Sequence, residues 1–438
     1  MEYLSALPMA AKLRIGVVHP TRIGSAGLAS RSTEETLVIH LPNGEKRTLS
    51  NNFLEWLRGF TDAEGCFFIG VKKNVNYFSF TYTIQLHIDD IQVLYYIRDR
   101  LGIGRVRSFR TMATFEVNPL TELEVIIAIF SNYNLNSTKH LNFLAFKEAL
   151  KLYTLSSKRD YRKEIKPKIV GIRNTINNQR TNFELPLTHS VIITDYWLLG
   201  FVEGDGSFFC RKGGRLTFFL SQKGNKALLL AIKDYLYNKA QQATGVLGID
   251  KEAVIVQLDA KLKWALRVDQ TDFIAQVIIP LFNSVNFLTK KSLDYSDWVD
   301  VLQIRLKGLH LLPEGSIIIE KIIGQMNDNR LSTSGKPSVD RDLLKASINK
   351  LLSISPAVYE IKPDGRIWDI SKKRFIGKKT GIRQPVQLIS PDGTIIQTFT
   401  TRAGCGKFLG FSTTTIRRKL DKNEPVLFEG KLYSLRKV

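Results

Sequence analysis

Residues 57–65 read LRGFTDAEG and residues 198–206 read LLGFVEGDG, one small-residue skeleton closed each time by an acid and a glycine. Two longer segments recur in the same order. HIDDIQVLYYIRDRL at 87–101 matches QKGNKALLLAIKDYL at 222–236 in apolar spacing, and FSNYNLNSTKHLNF at 130–143 matches FNSVNFLTKKSLDY at 282–295. Three matches in one order make two copies of a single unit, so the fold must be built from two related halves.

Each unit reads as a helix, a hairpin, a helix, a second hairpin and closing helices. Phe53, Trp56, Leu57 and Phe60 fall on one helical stripe that runs into the first acid-glycine pair. Residues 78–87 alternate, with Phe78, Phe80, Tyr82 and Ile84 on one face and Ser79, Thr81, Thr83, Gln85 and His87 on the other. In the second copy Lys261, Lys263 and Arg267 oppose Leu262, Trp264, Leu266 and Val268, and in the first Arg105 and Arg107 share a face. An antiparallel sheet that buries one side and offers a polar, basic other side suits a nucleic-acid groove.

Gly59 and Ala63 are four apart, as are Gly200 and Gly204. On a helix that spacing clears one side of bulk and lets two helices meet backbone to backbone. If the two segments pack on each other, Glu64 and Asp205 arrive side by side at the helix ends. Two carboxylates placed so repel each other and oppose the helix dipoles, a penalty that a hard divalent cation removes. A single acid-glycine pair would mean no more than a helix end; its duplication with one acid per copy points to metal-assisted phosphodiester chemistry.

The 63 Lys and Arg outnumber 41 Asp and Glu by 22, which favours a polyanionic partner. Three widely separated cysteines and six histidines argue against a disulfide framework or a structural zinc site. No apolar run approaches the roughly 20 residues of a membrane span.

Outside the repeats, residues 1–50 read as an N-terminal extension, acid-free between Glu2 and Glu34 in the manner of an organelle transit peptide or of an upstream fusion. The first repeat is placed at 51–157. A basic linker follows at 158–190, with eight Lys and Arg against two acids between 158 and 180, and the second repeat with its tail at 191–333. Residues 334–384, entered through STSGKPS at 332–338, read as a linker with a hairpin at 359–370. In 385–438 a second Pro-Asp-Gly hairpin precedes a helix, a Gly-centred turn and a helix. Phe408, Leu409, Phe411, Ile416 and Leu420 are its expected core, and Thr413, Thr414, Arg417 and Arg418 are its exposed, groove-directed face.

The paired motifs, their order, the later FSNYNLNSTK and FNSVNFLTKK segments and MNDNRLST at 326–333 resemble the LAGLIDADG homing endonucleases in their monomeric, two-motif, intron-encoded form. The resemblance implies an α+β fold of two pseudo-symmetric αββαββα repeats, a saddle of antiparallel sheets lying in the major groove of a long double-stranded DNA site. It implies that Glu64 and Asp205 hold magnesium, with manganese able to substitute, at the scissile phosphates, and that Lys139 and Lys291 stand near the chemistry. Gln222, with His87 as its opposite number, becomes a candidate for contacting DNA or ordering water. Intron RNA is the alternative partner, through a maturase role, and mitochondria the expected compartment. Arg58, Thr61 and Glu64 depart from the family's motif letters, and the glutamate makes the two half-sites unequal. Residues 385–435 resemble the small NUMOD1 modules, which implies accessory DNA contact.

Overall fold

The computed structural model describes residues 36–72, 77–156, 164–242, 253–259, 263–337, 339–362, 366–376, 385–399, 401–428 and 430–437. The first half begins earlier than the repeat suggests. Strands β1 (Thr36–His40) and β2 (Lys46–Ser50) form a hairpin that sends Ile39, Leu41 and Leu49 into the core, so the second part of the expected extension is an integral piece of the first unit. Ser50 then caps helix α1 (Asn51–Glu64) by accepting from the Phe53 amide.

After α1 come β3 (Gly65–Lys72), β4 (Tyr77–His87), α2 (Ile91–Leu101), β5 (Arg105–Phe109), β6 (Met112–Val117), α3 (Leu120–Asn132) and α4 (Lys139–Leu155). The strands form one antiparallel sheet in the order β3-β4-β6-β5. Helix α5 (Lys166–Arg173) closes the unit. The expected alternation holds on β4: Phe78, Phe80, Tyr82 and Ile84 are buried, and Ser79, Thr81, Thr83 and Gln85 face outward.

The second half repeats this plan. Helix α6 (Asp195–Asp205), capped by Thr194, leads into β7 (Gly206–Arg211) and β8 (Arg215–Gln222). Then come α7 (Lys226–Gln242), β9 (Val254–Leu258), β10 (Trp264–Val268), α8 over residues 271–283 with a π-helical middle at Ile274–Ile278, α9 (Lys291–Leu306) and α10 (Pro313–Ile323). Its sheet runs β7-β8-β10-β9, the same order and equally open.

A fourth correspondence links the halves. Asn177 and Asn327 both adopt left-handed backbone, at φ 54° and 55°, and donate from Nδ2 to the carbonyls of Phe67 and Phe208, 2.8 and 3.3 Å away. Arg180 and Arg330 then reach Asn142 and Asp294 at matching places on α4 and α9. Each turn covers the free edge of β3 or β7. The segment read as a basic linker is therefore partly the closing element of the first unit, with Ile169 and Ile176 buried. Its residues 157–163 lie outside the described ones.

The expected linker after 334 also holds a helix, α11 (Arg341–Leu352), which buries Leu344, Ile348 and Leu351. Arg341 pairs with Asp297 and Lys345 with Asp300 on α9. Strands β11 (Tyr359–Ile361), β12 (Ile367–Asp369) and β13 (Arg374–Ile376) follow as a small sheet; the turn of the expected hairpin, 363–365, lies outside the described residues.

At the C-terminus, β14 (Val386–Ile389), β15 (Ile395–Phe399), α12 (Arg402–Leu409), α13 (Thr413–Lys422), β16 (Val426–Phe428) and β17 (Lys431–Lys437) surround a separate core of Val386, Leu388, Phe399, Cys405, Leu409, Ile416, Leu420, Val426 and Leu435. Phe408, expected in that core, is 42% exposed and rests on Phe399 and Phe428 at its rim.

The halves meet through α1 and α6. A Cβ on Gly59 would lie 2.0 Å from the Trp197 carbonyl oxygen, and one on Gly200 would lie 2.1 Å from that of Trp56. Backbone cannot retreat from such contacts as a side-chain tip can. Gly59→Ala or Gly200→Ala is expected to cost about 3 kcal/mol or more in chemical denaturation. Gly171→Ala on α5, where a methyl meets nothing within 4 Å, is expected to be neutral or stabilising by up to about 1 kcal/mol.

Candidate functional site

Below the glycine contact, the two helices are tied by a reciprocal pair of hydrogen bonds. Trp56 Nε1 donates to Glu203 Oε2 at 2.6 Å and Trp197 Nε1 donates to Asp62 Oδ2 at 2.9 Å. Each acid also holds the loop ahead of a closing helix. Asp62 accepts from the Asn136 and Ser137 amides and the Ser137 hydroxyl; Glu203 accepts from the Leu288 and Thr289 amides and the Thr289 hydroxyl. Both acids are buried, so their carboxylates exchange water for fixed donors.

Those loops deliver Lys139 and Lys291 as the first residues of α4 and α9. Lys139 Nζ donates to the Ala63 carbonyl at 2.8 Å; Lys291 Nζ donates to the carbonyls of Gly204 and Gly206. The ammonium groups thus stand beside the ends of α1 and α6, where Glu64 and Asp205 emerge. A Cβ on Gly204 would touch the Ala63 Cβ at 2.4 Å and Glu64 Oε1 at 3.3 Å, which places the Glu64 carboxylate against the opposite helix. Ala63 is half-buried in this seam.

The glycines after the acids serve space, not conformation. Gly65 and Gly206 have φ −69° and −80°, ordinary extended values, but a Cβ would meet Thr61 Cγ2 at 2.5 Å or Val202 Cγ1 at 2.6 Å. The helices run directly into β3 and β7, and each acid sits at the joint.

Burial raises the Glu64 carboxyl above its usual range, with Lys139 and Lys291 pulling it back. Asp205 is pushed up to about 6, first by burial and then by Glu64, against Lys139, Gln222 and Lys291. Burial also lowers both lysines, opposed for Lys139 first by Asp205 and for Lys291 first by Asp294. Burial thus disfavours the charge of all four groups, and their mutual attraction offsets it in part. No cluster of three or more His, Cys, Asp or Glu occurs among the described residues. The acid pair would supply two oxygen ligands of a magnesium shell, leaving the rest to water, carbonyl and phosphate oxygens, which fits that cation's habit of keeping waters.

Gln222 donates to Asp205 Oδ2 from the end of β8. It lies on the side of Leu216, Phe218 and Leu220, not on the outward face, so its place is the acid centre and not groove readout. The pairing with His87 slips by one residue. Gly65 lies opposite Ile84 and Gly206 opposite Leu220, which makes buried Leu86 the counterpart of Gln222. His87 instead points outward to Thr333 and Asp89.

On the outward faces, Ser79, Thr81, Thr83 and Gln85 line β4, and Arg105 and Arg107 share Glu116 at the far edge. On the second sheet Lys263 is exposed and Arg267 is fastened to Asp269; Lys261 lies outside the described residues. In the C-terminal module Thr413, Thr414, Arg417 and Arg418 are exposed as expected, with Arg417 3.7 Å from Asp421 and Arg418 3.6 Å from Glu424.

Arg58 and Thr61, which depart from the motif, are buried and matched. Arg58 bonds Glu55 at 2.5 Å and the Ile192 and Asn134 carbonyls, and Thr61 lies 2.6 Å from the Tyr82 hydroxyl. Sequence reasoning missed Asp62, Glu203, Trp56 as an anchor, and Trp197. The available signal was an acid two places before each catalytic candidate and a tryptophan three before each glycine.

The model of the LAGLIDADG endonuclease family matches residues 57–150 and 198–302. The chain is 28% identical over 302 residues to an uncharacterized mitochondrial protein RF1 of Saccharomyces cerevisiae, covering 66% of this chain and 62% of that one. It is 28% identical over 196 residues to a probable intron-encoded endonuclease, Cox1-I1b, of Schizosaccharomyces pombe, covering 43% and 50%. The chain thus spans only about half to three-fifths of these relatives. Among solved structures, the LAGLIDADG homing endonuclease I-GzeII in complex with its DNA target superposes with a TM-score of 0.54 at 26% identity, covering 63% of this chain and 99% of that one. I-SmaMI bound to cleaved DNA gives 0.55 at 25%, covering 64% and 98%.

A carboxyl held at about 6 by the fold binds its proton more tightly folded than unfolded. Its contribution to stability is full in acid and lost as pH rises through about 6. In chelator at pH 8, Asp205→Asn is expected to be more stable than the parent by about 3 kcal/mol, an advantage that shrinks between pH 6 and pH 4. Thermal melts in both buffers check this, and added magnesium should stabilise the parent more than the variant.

Proposed function

We propose that this chain, whose two repeats belong to the LAGLIDADG endonuclease family, is a site-specific homing endonuclease that cleaves both strands of a long DNA duplex. The observation that carries the reading is the pairing of Glu64 and Asp205, one from each helix of a backbone-tight pair, at the head of two sheets whose outer faces carry polar and basic side chains. The DNA-bound state of the related solved structures supports it.

In this reading Glu64 and Asp205 hold magnesium, with manganese able to substitute. The bound ion supplies Lewis acidity toward the phosphodiester and a more acidic water. The chain's own residues do the positioning. The glycine contact sets the spacing of the acids, and Asp62 and Glu203 fix the loops that aim Lys139 and Lys291. The two ammonium groups, pinned to backbone carbonyls, stand ready to offset charge that develops on the phosphate. Gln222 orients Asp205 by donating to it. Ser79, Thr81, Thr83, Gln85, Arg105, Arg107, Lys263 and Arg267 meet base edges and phosphates. The C-terminal unit is a NUMOD1-like module that adds phosphate contacts beside the target through Arg417 and Arg418. The paired acids and their lysines favour a cleavage role over an intron RNA maturase. The kinship with mitochondrial and intron-encoded proteins supports a mitochondrial location.

Incubation with magnesium and a library of long duplexes containing the genomic insertion site should yield double-strand cuts by a monomer. Glu64→Gln and Asp205→Asn should each lower cleavage by about a hundredfold or more while leaving duplex binding in place. Absence of any cut product refutes the reading; cleavage at parental rate by the variants removes the acids from their role. Replacing Arg417 and Arg418 by alanine should weaken binding evenly across sequences. The slope of log affinity against log salt should fall by about one for each phosphate no longer neutralised.

A further inference from the structure

The two sheets share a feature that their packing does not require. Phe67 and Phe208 are repeat counterparts and both are fully buried in their cores. The residues that follow, Phe68 and Phe209, are counterparts too, yet they point to the opposite face and are 49% and 42% exposed. Phe68 lies opposite Thr81, and Phe209 opposite Thr217. The Phe68 ring lies over Gly70, where an added Cβ would touch it at 3.0 Å, and Phe209 rests against Phe219 with ring centroids 5.8 Å apart. Single exposed apolar residues are ordinary on a protein surface. Here the same aromatic recurs at one position in both halves, on the face that the neighbouring outward positions fill differently: Thr83 and Gln85 in one, Phe219 and Ser221 in the other.

We infer that Phe68 and Phe209 are specificity-determining residues that read thymine through apolar contact with its 5-methyl group, one in each half-site. This rests on the endonuclease reading above. Each strand leaves the acid centre at Gly65 or Gly206 and reaches its phenylalanine three residues on, about 10 Å at the rise of a strand, or roughly three base-pair steps. Arginines flank the same faces at their edges, Arg105 and Arg107 on one and Arg211 and Arg215 on the other, and suit the phosphates that border a groove. In the major groove the thymine methyl is the one apolar group a base pair offers, so an exposed phenyl ring on that face has one matching target. Because the rings are related by the internal repeat, their thymines stand at equal distances from the centre of the target.

The test selects cleavable duplexes from a randomised library with the full chain and magnesium, then replaces single thymines by uracil, which removes the methyl and keeps every hydrogen-bonding group. Expected are A·T pairs at one mirror-related pair of positions and about fourfold weaker binding for uracil at either, the equivalent of about 0.8 kcal/mol per methyl. Phe68→Ala should erase the uracil effect in one half-site only, and Phe209→Ala in the other. Uracil without effect at every position, or an effect that persists in both variants, overturns the inference. A library from which nothing is cut refutes the endonuclease reading instead.

Discussion

Everything at the centre of this molecule depends on two helices touching through their backbones. Gly59 and Gly200 let α1 and α6 approach until carbonyl oxygens occupy the space where side chains would begin. Glycine inside a helix costs about 0.5 to 1 kcal/mol relative to alanine, and the contact must offset that twice. What it provides is position. Tryptophans 56 and 197 donate across the seam to Glu203 and Asp62, and those acids in turn fasten the loops that start α4 and α9. A displacement of one helix therefore moves both carboxylates and both lysines together, which keeps the geometry of the centre coupled to the integrity of the interface.

The same arrangement makes the centre a source of instability. Asp205 and Glu64 are held where burial disfavours their charge, and Asp205 also feels Glu64. Two half-buried lysines stand beside them with their own charge disfavoured. A fold selected for stability alone would place apolar groups there. The strain is local, because the surrounding halves are built on large aromatic cores: Phe67, Phe130, Phe143 and Phe146 in one, Phe208, Phe218, Phe282 and Trp298 in the other.

Much of this plan was legible in the residues. The repeat, the helical stripe from Phe53 to Phe60, the alternation on β4 and the four-residue spacing of small residues all reflect periods that secondary structure imposes on side-chain direction. The acids could be placed because the helices that carry them had to meet. What escaped were relations without a period. Asp62 and Glu203 read as ordinary polar motif letters, and only the folded chain brings them to backbone amides more than seventy residues away. The hairpin at 36–50 and helix α11 sit beside segments of linker composition, and their apolar stripes are short. The slip at His87 arose because helix α2 and strand β4 count differently from their counterparts, by one residue at the turn between them, so an alignment anchored on the helix misassigns the strand end.

That slip bears on the symmetry of the centre. Judged by letters, the halves differ at the acids by one methylene, glutamate against aspartate. In the folded chain the difference is larger. Asp205 receives a side-chain hydrogen bond from Gln222, whereas the corresponding place in the first half holds Leu86, which can donate nothing. Gln222 is itself held by Asn225, which also accepts from the Thr138 amide beside Lys139 in the opposite half; the matching amide of Lys290 is held by Asp90, an acid. The second acid is thus tied into a chain of neutral amide side chains that crosses the interface, whereas the first half has Leu86 at the place of Gln222; both acids feel the same two lysines. Duplication built the paired centre, and divergence at positions around the acids, not at the acids alone, has made its two sides chemically distinct.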